Sequence, residues 1–322
     1  MRSTKSLSWV DRLLGGGSIA APPHVVALRD DALVYARVER RSDGKLQVLR
    51  YLETALATDF GDGPLGGPPR DPEAFVASVR ELFERAGGRI EETTLVLSDR
   101  FMRMVFAEFT ELPTADAARQ EALRFKLRQL VPFRAEELRL RAVEVAPLPG
   151  QEEPRRMAVA FAFEALLGPI ESAFERAGVR IGMVTTESLA LASALRVEGL
   201  GLLVVADERS YTLLVSRDGE PLLSRHKELA APPFRQAGSA VTRELRLTGT
   251  FLEERLPERR LDGVFVAAPE AASWSELVAD ALGTGCVVVD ASALGEELGD
   301  LPPGFRVDRD GALLGAALLE VA

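Results

Sequence analysis

Cysteine, histidine and lysine are scarce in this chain, and each scarcity removes a class of chemistry. The one cysteine is Cys286 and the two histidines are His24 and His226. A disulfide framework is therefore impossible, and a zinc site built on Cys and His is nearly so. Of 39 basic residues only four are lysine (Lys5, Lys45, Lys126 and Lys227), leaving 35 arginines. None of the four follows a glycine-rich turn of the Gly-x-x-x-x-Gly-Lys-Ser/Thr kind, which excludes a P-loop enzyme. No apolar run reaches the roughly 18 residues that a membrane span requires. Nor does the N-terminus hold the continuous apolar stretch of a secretory signal, and the chain is expected to act in the cytoplasm. No Gly-x-Ser-x-Gly elbow and no His-Glu-x-x-His helix occurs.

What is present is an acidic globular composition. The 322 residues suggest two domains or one large one, at about 150 residues per domain. Hydrophobic residues make up 47% and charged residues 27%, and the net charge of −10 argues against a nucleic-acid binder. Against that charge, the stretch from Arg119 to Arg141 carries seven cations and three acids. Such a stretch suits phosphates or an anionic membrane surface, or else a helix back paired with neighbouring acids.

Residues 1–21 form a basic tail. Arg2, Lys5 and Arg12 accompany Leu7, Val10, Leu13 and Leu14, and Gly15-Gly16-Gly17 stops the pattern. It reads either as a frayed terminus or as an amphipathic tip for an anionic membrane. Strands are then expected at His24 to Leu28, Leu33 to Glu39 and Leu46 to Thr54, separated by turns at Asp30-Asp31 and Ser42-Asp43-Gly44-Lys45. A helix capped by Asp71 with Pro72 at its first position follows, then a buried strand, Thr93 to Leu97. The same order returns after residue 200. Strands are expected at Leu202 to Ala206, Tyr211 to Ser216 and Pro221 to His226, then a helix from Phe234 to Leu256 and a strand from Gly263 to Ala267. A helix from Ser273 to Leu282, a strand from Cys286 to Val289 and a helix from Ala312 to Leu319 close the chain. Two copies of β-β-β-α-β-α-β-α emerge if residues 100–163 are set aside as an insertion. That is the architecture of the actin, hexokinase and Hsp70 group: an α/β fold of two lobes, 22–199 and 200–322, with an αβ subdomain inserted in the first.

Several local features read as structure rather than chemistry. Gly61-x-Gly63-x-x-Gly66 spells a dinucleotide fingerprint, but Pro64, Pro68 and Pro69 forbid the helix that fingerprint needs, so it is expected to be a flexible loop. His226, beside Lys227 and Glu228, reads as a surface residue, and Cys286 as a small core residue entering a buried strand. The acid pairs Glu152-Glu153, Glu253-Glu254 and Glu296-Glu297 read as solvated faces. In the insertion, Thr114 is expected to cap a helix whose stripe Leu123, Leu127 and Leu130 packs inward, before Val131-Pro132-Phe133 ends it.

The insertion also carries a resemblance. Glu111-Leu112-Pro113, Glu121-Ala122-Leu123-Arg124-Phe125 and Gln129-Leu130-Val131-Pro132-Phe133 resemble the proline-led helix of the type IV pilus assembly protein PilM family. Ala158 to Phe163, Ala173-Phe174-Glu175-Arg176-Ala177-Gly178-Val179 and Glu187-Ser188-Leu189-Ala190-Leu191 resemble that family's next strand, helix and signature. The similarity runs from about residue 22 to the end and is specific only in the middle. It implies an actin-like scaffold that binds the cytoplasmic N-terminal tail of the inner-membrane protein PilN, among other pilus platform proteins, at the inner membrane. By the same resemblance the tail lies between first lobe and insertion, with Ala122, Phe125, Gln129, Pro132 and Phe133 as candidate partner-binding residues. Core packing is the competing reading of these side chains. The related cytoplasmic domain of the type II secretion L protein gives an alternative platform.

The resemblance breaks at the nucleotide loops. Actin-like folds use an Asp-x-Gly turn after the first strand of each lobe, because bare amides must approach phosphates. Here the stretches read Val26-Ala27-Leu28-Arg29-Asp30-Asp31 and Val205-Ala206-Asp207-Glu208-Arg209-Ser210. Ala27 and Arg29 stand where Asp and Gly belong, the family's downstream lysine falls near Val34, and Ala267-Ala268-Pro269 replaces the adenosine-side double glycine. The expectation is a degenerate site with no cofactor, no metal and no catalytic residue; an active ATPase of the same fold is the alternative.

Overall fold

A computed structural model describes residues 19–62, 65–148, 154–195, 197, 199–229, 234–256, 260–294 and 298–321. The basic tail up to residue 18, Glu152-Glu153 and Glu296-Glu297 lie outside the described residues.

The first sheet contains β2 (His24–Leu28), β3 (Ala32–Arg40), β4 (Leu46–Ala55), β5 (Glu92–Leu97) and β9 (Arg180–Thr186), in the spatial order β4-β3-β2-β5-β9. The second contains β10 (Leu200–Ala206), β11 (Ser210–Arg217), β12 (Glu220–Glu228), β13 (Gly263–Ala267) and β14 (Val287–Val288), in the order β12-β11-β10-β13-β14. The two orders are the same. In each sheet the first three strands run antiparallel and the last two run parallel to the first. The repeat expected from element order is therefore a repeat of topology.

Strand alternation divides the apolar residues between the two faces of each sheet. Val26 and Leu28 face α1 (Pro72–Ala86) and α3 (Glu164–Arg176), packing with Phe75, Leu82, Ile170 and Phe174. Leu202 and Val204 form the matching core with Val241, Trp274 and Val278 of α5 (Phe234–Arg255) and α6 (Ala271–Leu282). The inner faces share one core. Val25, Ala27, Leu203 and Leu214 close around α4 (Glu187–Ala194) and α7 (Val307–Ala317). Each fully buried Leu, Val or Phe contributes about 1.5–3 kcal/mol.

α7 follows the second sheet in sequence yet packs on β2, β3 and β5 of the first, while α4 reaches β10. The two helices cross at Gly315, where a Cβ would lie 1.8 Å from the carbonyl oxygen of Ala190. Only glycine permits that approach. The chain ends also meet, because β1 (Ile19–Ala20) pairs antiparallel with β15 (Glu320–Val321). α7 starts at Val307, earlier than the expected Ala312.

Between β5 and α3 lies the insertion: β6 (Arg103–Phe109), α2 (Asp116–Leu130), β7 (Leu138–Val145) and β8 (Arg155–Phe163). Its antiparallel sheet runs β6-β8-β7 and holds Leu123 and Leu127 of α2 against Ala107, Leu138, Val159 and Phe161. Leu130 departs from the expected inward stripe, with 44% of its surface exposed, because the helix ends there and the chain turns away. Thr114 does not cap the helix: Ala115 holds the N-cap position, and Arg119 folds back onto the carbonyls of Pro113 and Thr114.

Three other expectations are corrected. Either side of residues 63–64, which lie outside the described residues, Gly61 N–H donates to Pro68 O and Gly67 N–H to Gly61 O, and Leu65 is fully buried. Gly66 at φ +66° lies against the Phe101 ring, so the described residues 65–69 are packed where a flexible loop was expected. β14 is an outer strand with Val287 and Val288 47% and 38% exposed, and Cys286 beside it is half-buried. His226 is half-buried and hydrogen-bonds through Nδ1 to Thr212 Oγ1 at 3.0 Å. Glu253 and Glu254 are exposed, as expected. No helix among the described residues is long and apolar enough to cross a membrane.

Candidate functional site

The two β-hairpin turns that face each other between the lobes, at Arg29-Asp30-Asp31 and Asp207-Glu208-Arg209, are the first candidate site. Arg29 occupies the position where a glycine was expected. Its side chain crosses to α7, donating from Nη2 to Asp310 Oδ1 at 2.8 Å and to the Arg309 carbonyl at 2.6 Å, with Glu187 at 3.7 Å. Asp310 is completely buried and also accepts from Tyr51 Oη at 3.1 Å and Arg306 N–H at 2.8 Å. Burial opposes the Arg29 charge, but Glu187 and Asp310 outweigh it and raise its pKa. Burial, then the Asp310 charge, pushes Tyr51 up to about 12.

Asp30 reaches cations on both lobes. Arg100 Nη1 lies 2.9 and 3.0 Å from its two oxygens, and Arg209 Nε lies 3.3 Å away across the cleft. Asp207 folds onto its own turn, accepting from Arg209 N–H at 2.7 Å, Ser210 N–H at 2.6 Å and Ser210 Oγ at 3.0 Å. Asp99 accepts from the Ser188 N–H at 3.0 Å and from its hydroxyl, at the start of α4. Burial is the main cause that raises Asp99 to about 6, Glu187 to about 8, and Asp207 above its ordinary range. The neighbouring carboxylates push all three the same way.

A nucleoside polyphosphate at these turns would need bare amides and an uncommitted cation or bridging metal. The amides of Arg209 and Ser210 already donate to Asp207, and Arg29, Arg100 and Arg209 already face carboxylates. Among the described residues no group of three or more His, Cys, Asp or Glu side chains is arranged to hold a metal ion. The Arg209 and Ser210 amides and these three arginines are thus already engaged within the protein.

The second candidate is the outer face of α2. Ala122, Phe125 and Gln129 follow one another at helical spacing on the side away from Leu123 and Leu127. Phe125 is 61% exposed, Gln129 and Pro132 are exposed, and Ala122 is half-buried, packed at the edge of the subdomain core. The structure sets Phe133 apart from them: it is half-buried, 5.6 Å from the Phe163 ring and 6.3 Å from Phe161. Core packing therefore accounts for Phe133, but not for Phe125. Leu130 is an exposed apolar neighbour that the inward-stripe reading missed.

The basic stretch 119–141 resolves mostly into internal pairs. Arg128 meets Glu136, Arg134 meets Glu137, and Arg139 bridges Glu164 and Glu171 of α3. Arg124 donates to the Ala135 and Leu138 carbonyls.

Two sheets of matching order, each flanked by helices and closed over a shared pair of crossing helices, define an actin-like two-lobe protein. In keeping with that class, the chain is similar to a chain of the PilM-PilN type IV pilus biogenesis complex, with a TM-score of 0.69, 18% identity and coverage of 93% of this chain and 98% of that one. It is also similar to the cytoplasmic domain of EpsL, an inner-membrane component of the Vibrio cholerae type II secretion system (TM-score 0.50, 11% identity, 92% and 94% coverage). A Bacteroides thetaiotaomicron protein with an actin-like ATPase fold and unknown function aligns at a TM-score of 0.50 and 10% identity, over 91% and 96% of the two chains. No protein-family model and no curated protein matches the sequence.

Proposed function

We propose that this chain is a PilM-like, non-catalytic scaffold that docks the cytoplasmic N-terminal tail of a PilN-like inner-membrane protein, alongside other platform proteins of a type IV pilus machine. The observation that carries this reading is the likeness to a chain of a PilM-PilN complex over 93% of the residues. The outer face of α2 supports it with an exposed aromatic, Phe125, on a helix whose core contacts are already made by Leu123 and Leu127. Ala122 gives a partner's backbone room to approach, Gln129 offers both a donor and an acceptor, and Pro132 and Phe133 border the end of that face. Exposed apolar surface beside a polar rim is what an extended or helical tail requires.

The chain works at the cytoplasmic side of the inner membrane, brought there by its partner, with the basic residues 1–21 adding contact with anionic lipid. Absence of catalysis rests on the committed turn amides and on Arg29 in a glycine position. The segments 22–199 and 200–322 act as two lobes. Likeness to the EpsL cytoplasmic domain favours a type II secretion-like platform as the second reading.

The test is fluorescence anisotropy with a synthetic PilN-like tail, using wild type, Phe125→Ser and Gln129→Ala. Saturable wild-type binding is expected. Each variant is expected to weaken it by about tenfold, a loss of about 1.4 kcal/mol, with an unchanged melting temperature. No binding by wild type, or binding indifferent to both substitutions, overturns the reading.

A further inference from the structure

The inserted subdomain belongs to the first lobe by sequence, yet it grips the second. β12 is the edge strand of the second sheet, and its ladder with β11 slips: Val215 pairs with Leu223 and Ser216 with Pro221, leaving Leu222 as an extra residue. A bulge breaks the alternation that normally sends successive carbonyls to opposite sides. Arg156, on the central strand β8 of the subdomain, takes both. Its Nη1 donates to the Pro221 carbonyl at 3.2 Å and its Nη2 donates to the Leu222 carbonyl.

Arg156 is only 5% exposed, and its guanidinium carbon lies 4.1 Å from the centre of the Phe106 ring. Burial lowers its pKa to about 10, with Glu108 opposing and Arg255 adding to the fall. A buried arginine held by carbonyls and a ring is costly to place and specific in geometry, because its planar fork fits two acceptors at once. Nearby, Arg103 of β6 pairs with Glu228 of β12 at 3.2 Å. Where subdomain, first lobe and second lobe meet, Met104, Ala160, Ser188 and Ser224 help to enclose a cavity of only ≈ 10 Å³. That space holds about one water.

We propose that the inserted subdomain is a clamp that holds the second lobe closed on the first, with Arg156 in the Leu222 bulge as its lock. The clamp is a tie between the lobes separate from the α4–α7 crossing and from the Asp30–Arg209 pair. It needs no ligand, and it stands independently of the tail-docking reading.

Hydrogen exchange and small-angle scattering on the full chain test it, using Arg156→Met and Arg156→Lys. Methionine keeps an apolar side chain of similar length and removes both the fork and the charge over Phe106; lysine keeps the charge but offers a single point donor. Arg156→Met is expected to speed exchange about tenfold in β12 and in the turn 206–210, with a larger scattering radius and unchanged protection in α4 and α7. Arg156→Lys is expected to fall between that variant and wild type. Unchanged exchange in β12, or an equal rise across both sheets, overturns the clamp. If Arg156→Met does not fold, Arg103→Gln decides. Faster exchange confined to β12 then supports the clamp, and unaltered exchange there refutes it.

Discussion

Asp310→Ala is the substitution from which the largest loss of stability is expected, and the site shows why. Asp310 is the fully buried acceptor for Arg29, Tyr51 and the Arg306 amide, and it sits in the first turn of α7. Removing it leaves the Arg29 guanidinium, whose side chain is 14% exposed, with the Glu187 carboxyl group at 3.7 Å, itself raised by burial to about 8. Stranding one partner of a buried pair costs about 3–5 kcal/mol. Unfolding entropy of about 2.1 cal/mol/K per residue over 322 residues is roughly 0.7 kcal/mol/K, so the melting temperature should fall by about 4–7 °C. Calorimetry at pH 7 measures it. The double variant Arg29→Met with Asp310→Leu supplies the control, because replacing both charges by apolar groups should restore part of the loss, the Tyr51 hydroxyl and Arg306 amide still lacking their acceptor. A single-variant shift below about 1 °C, or a double variant no better than Asp310→Ala, would refute the reasoning that this pair anchors α7 to the first lobe.

Other expectations follow from the same geometry. Gly315→Ala forces a Cβ to within 1.8 Å of the Ala190 carbonyl and should cost about 3 kcal/mol or more in a denaturant titration; a native midpoint would contradict the close crossing of α4 and α7. Glu187 and Asp99, raised by burial to about 8 and about 6, bind protons in the folded state at pH values where the unfolded chain has released them. These two groups therefore contribute a stability that falls as pH rises from about 4 to about 8, opposed up to about pH 6.5 by His226, which burial lowers to about 3. Glu187→Gln should flatten that fall between about pH 5 and 8, and a slope equal to wild type would count against the raised carboxyl. Magnesium-ATP at millimolar concentration should leave the melting temperature unmoved, whereas a ligand at 100 times its Kd would stabilise by about 2.7 kcal/mol; a saturable shift absent with sulfate would show that the turns still bind nucleotide.

Much of the fold was readable because its signals are local. Asp71 and Pro72 mark the start of α1, and the Asp71 carboxylate does accept from the amides of Glu73 and Ala74. Turn residues separate the hairpin strands of both lobes, so the repeated element order could be read without any residue repeat. Arg29 at the position where a glycine was expected was equally plain. Its partner was not, because Asp310 lies 281 residues away and meets it only when α7 packs on the first sheet. Exposure at sheet edges and helix ends was also invisible: the apolar run around Val287 has the composition of a core strand but sits outermost. Phe125 and Phe133 look alike as aromatic residues in an apolar pattern, yet one faces out and the other stacks on Phe163. Arg156 carried no signal at all, since the bulge that receives it is a property of strand register.

The central claim is that an actin-like fold serves here for docking rather than catalysis. The most direct test is the affinity of the full chain for a PilN-like tail, measured by titration calorimetry with and without millimolar magnesium-ATP. The expected result is saturable binding with the same Kd in both conditions and no phosphate released. Binding that requires nucleotide, or ATP hydrolysis that the tail stimulates, would contradict it.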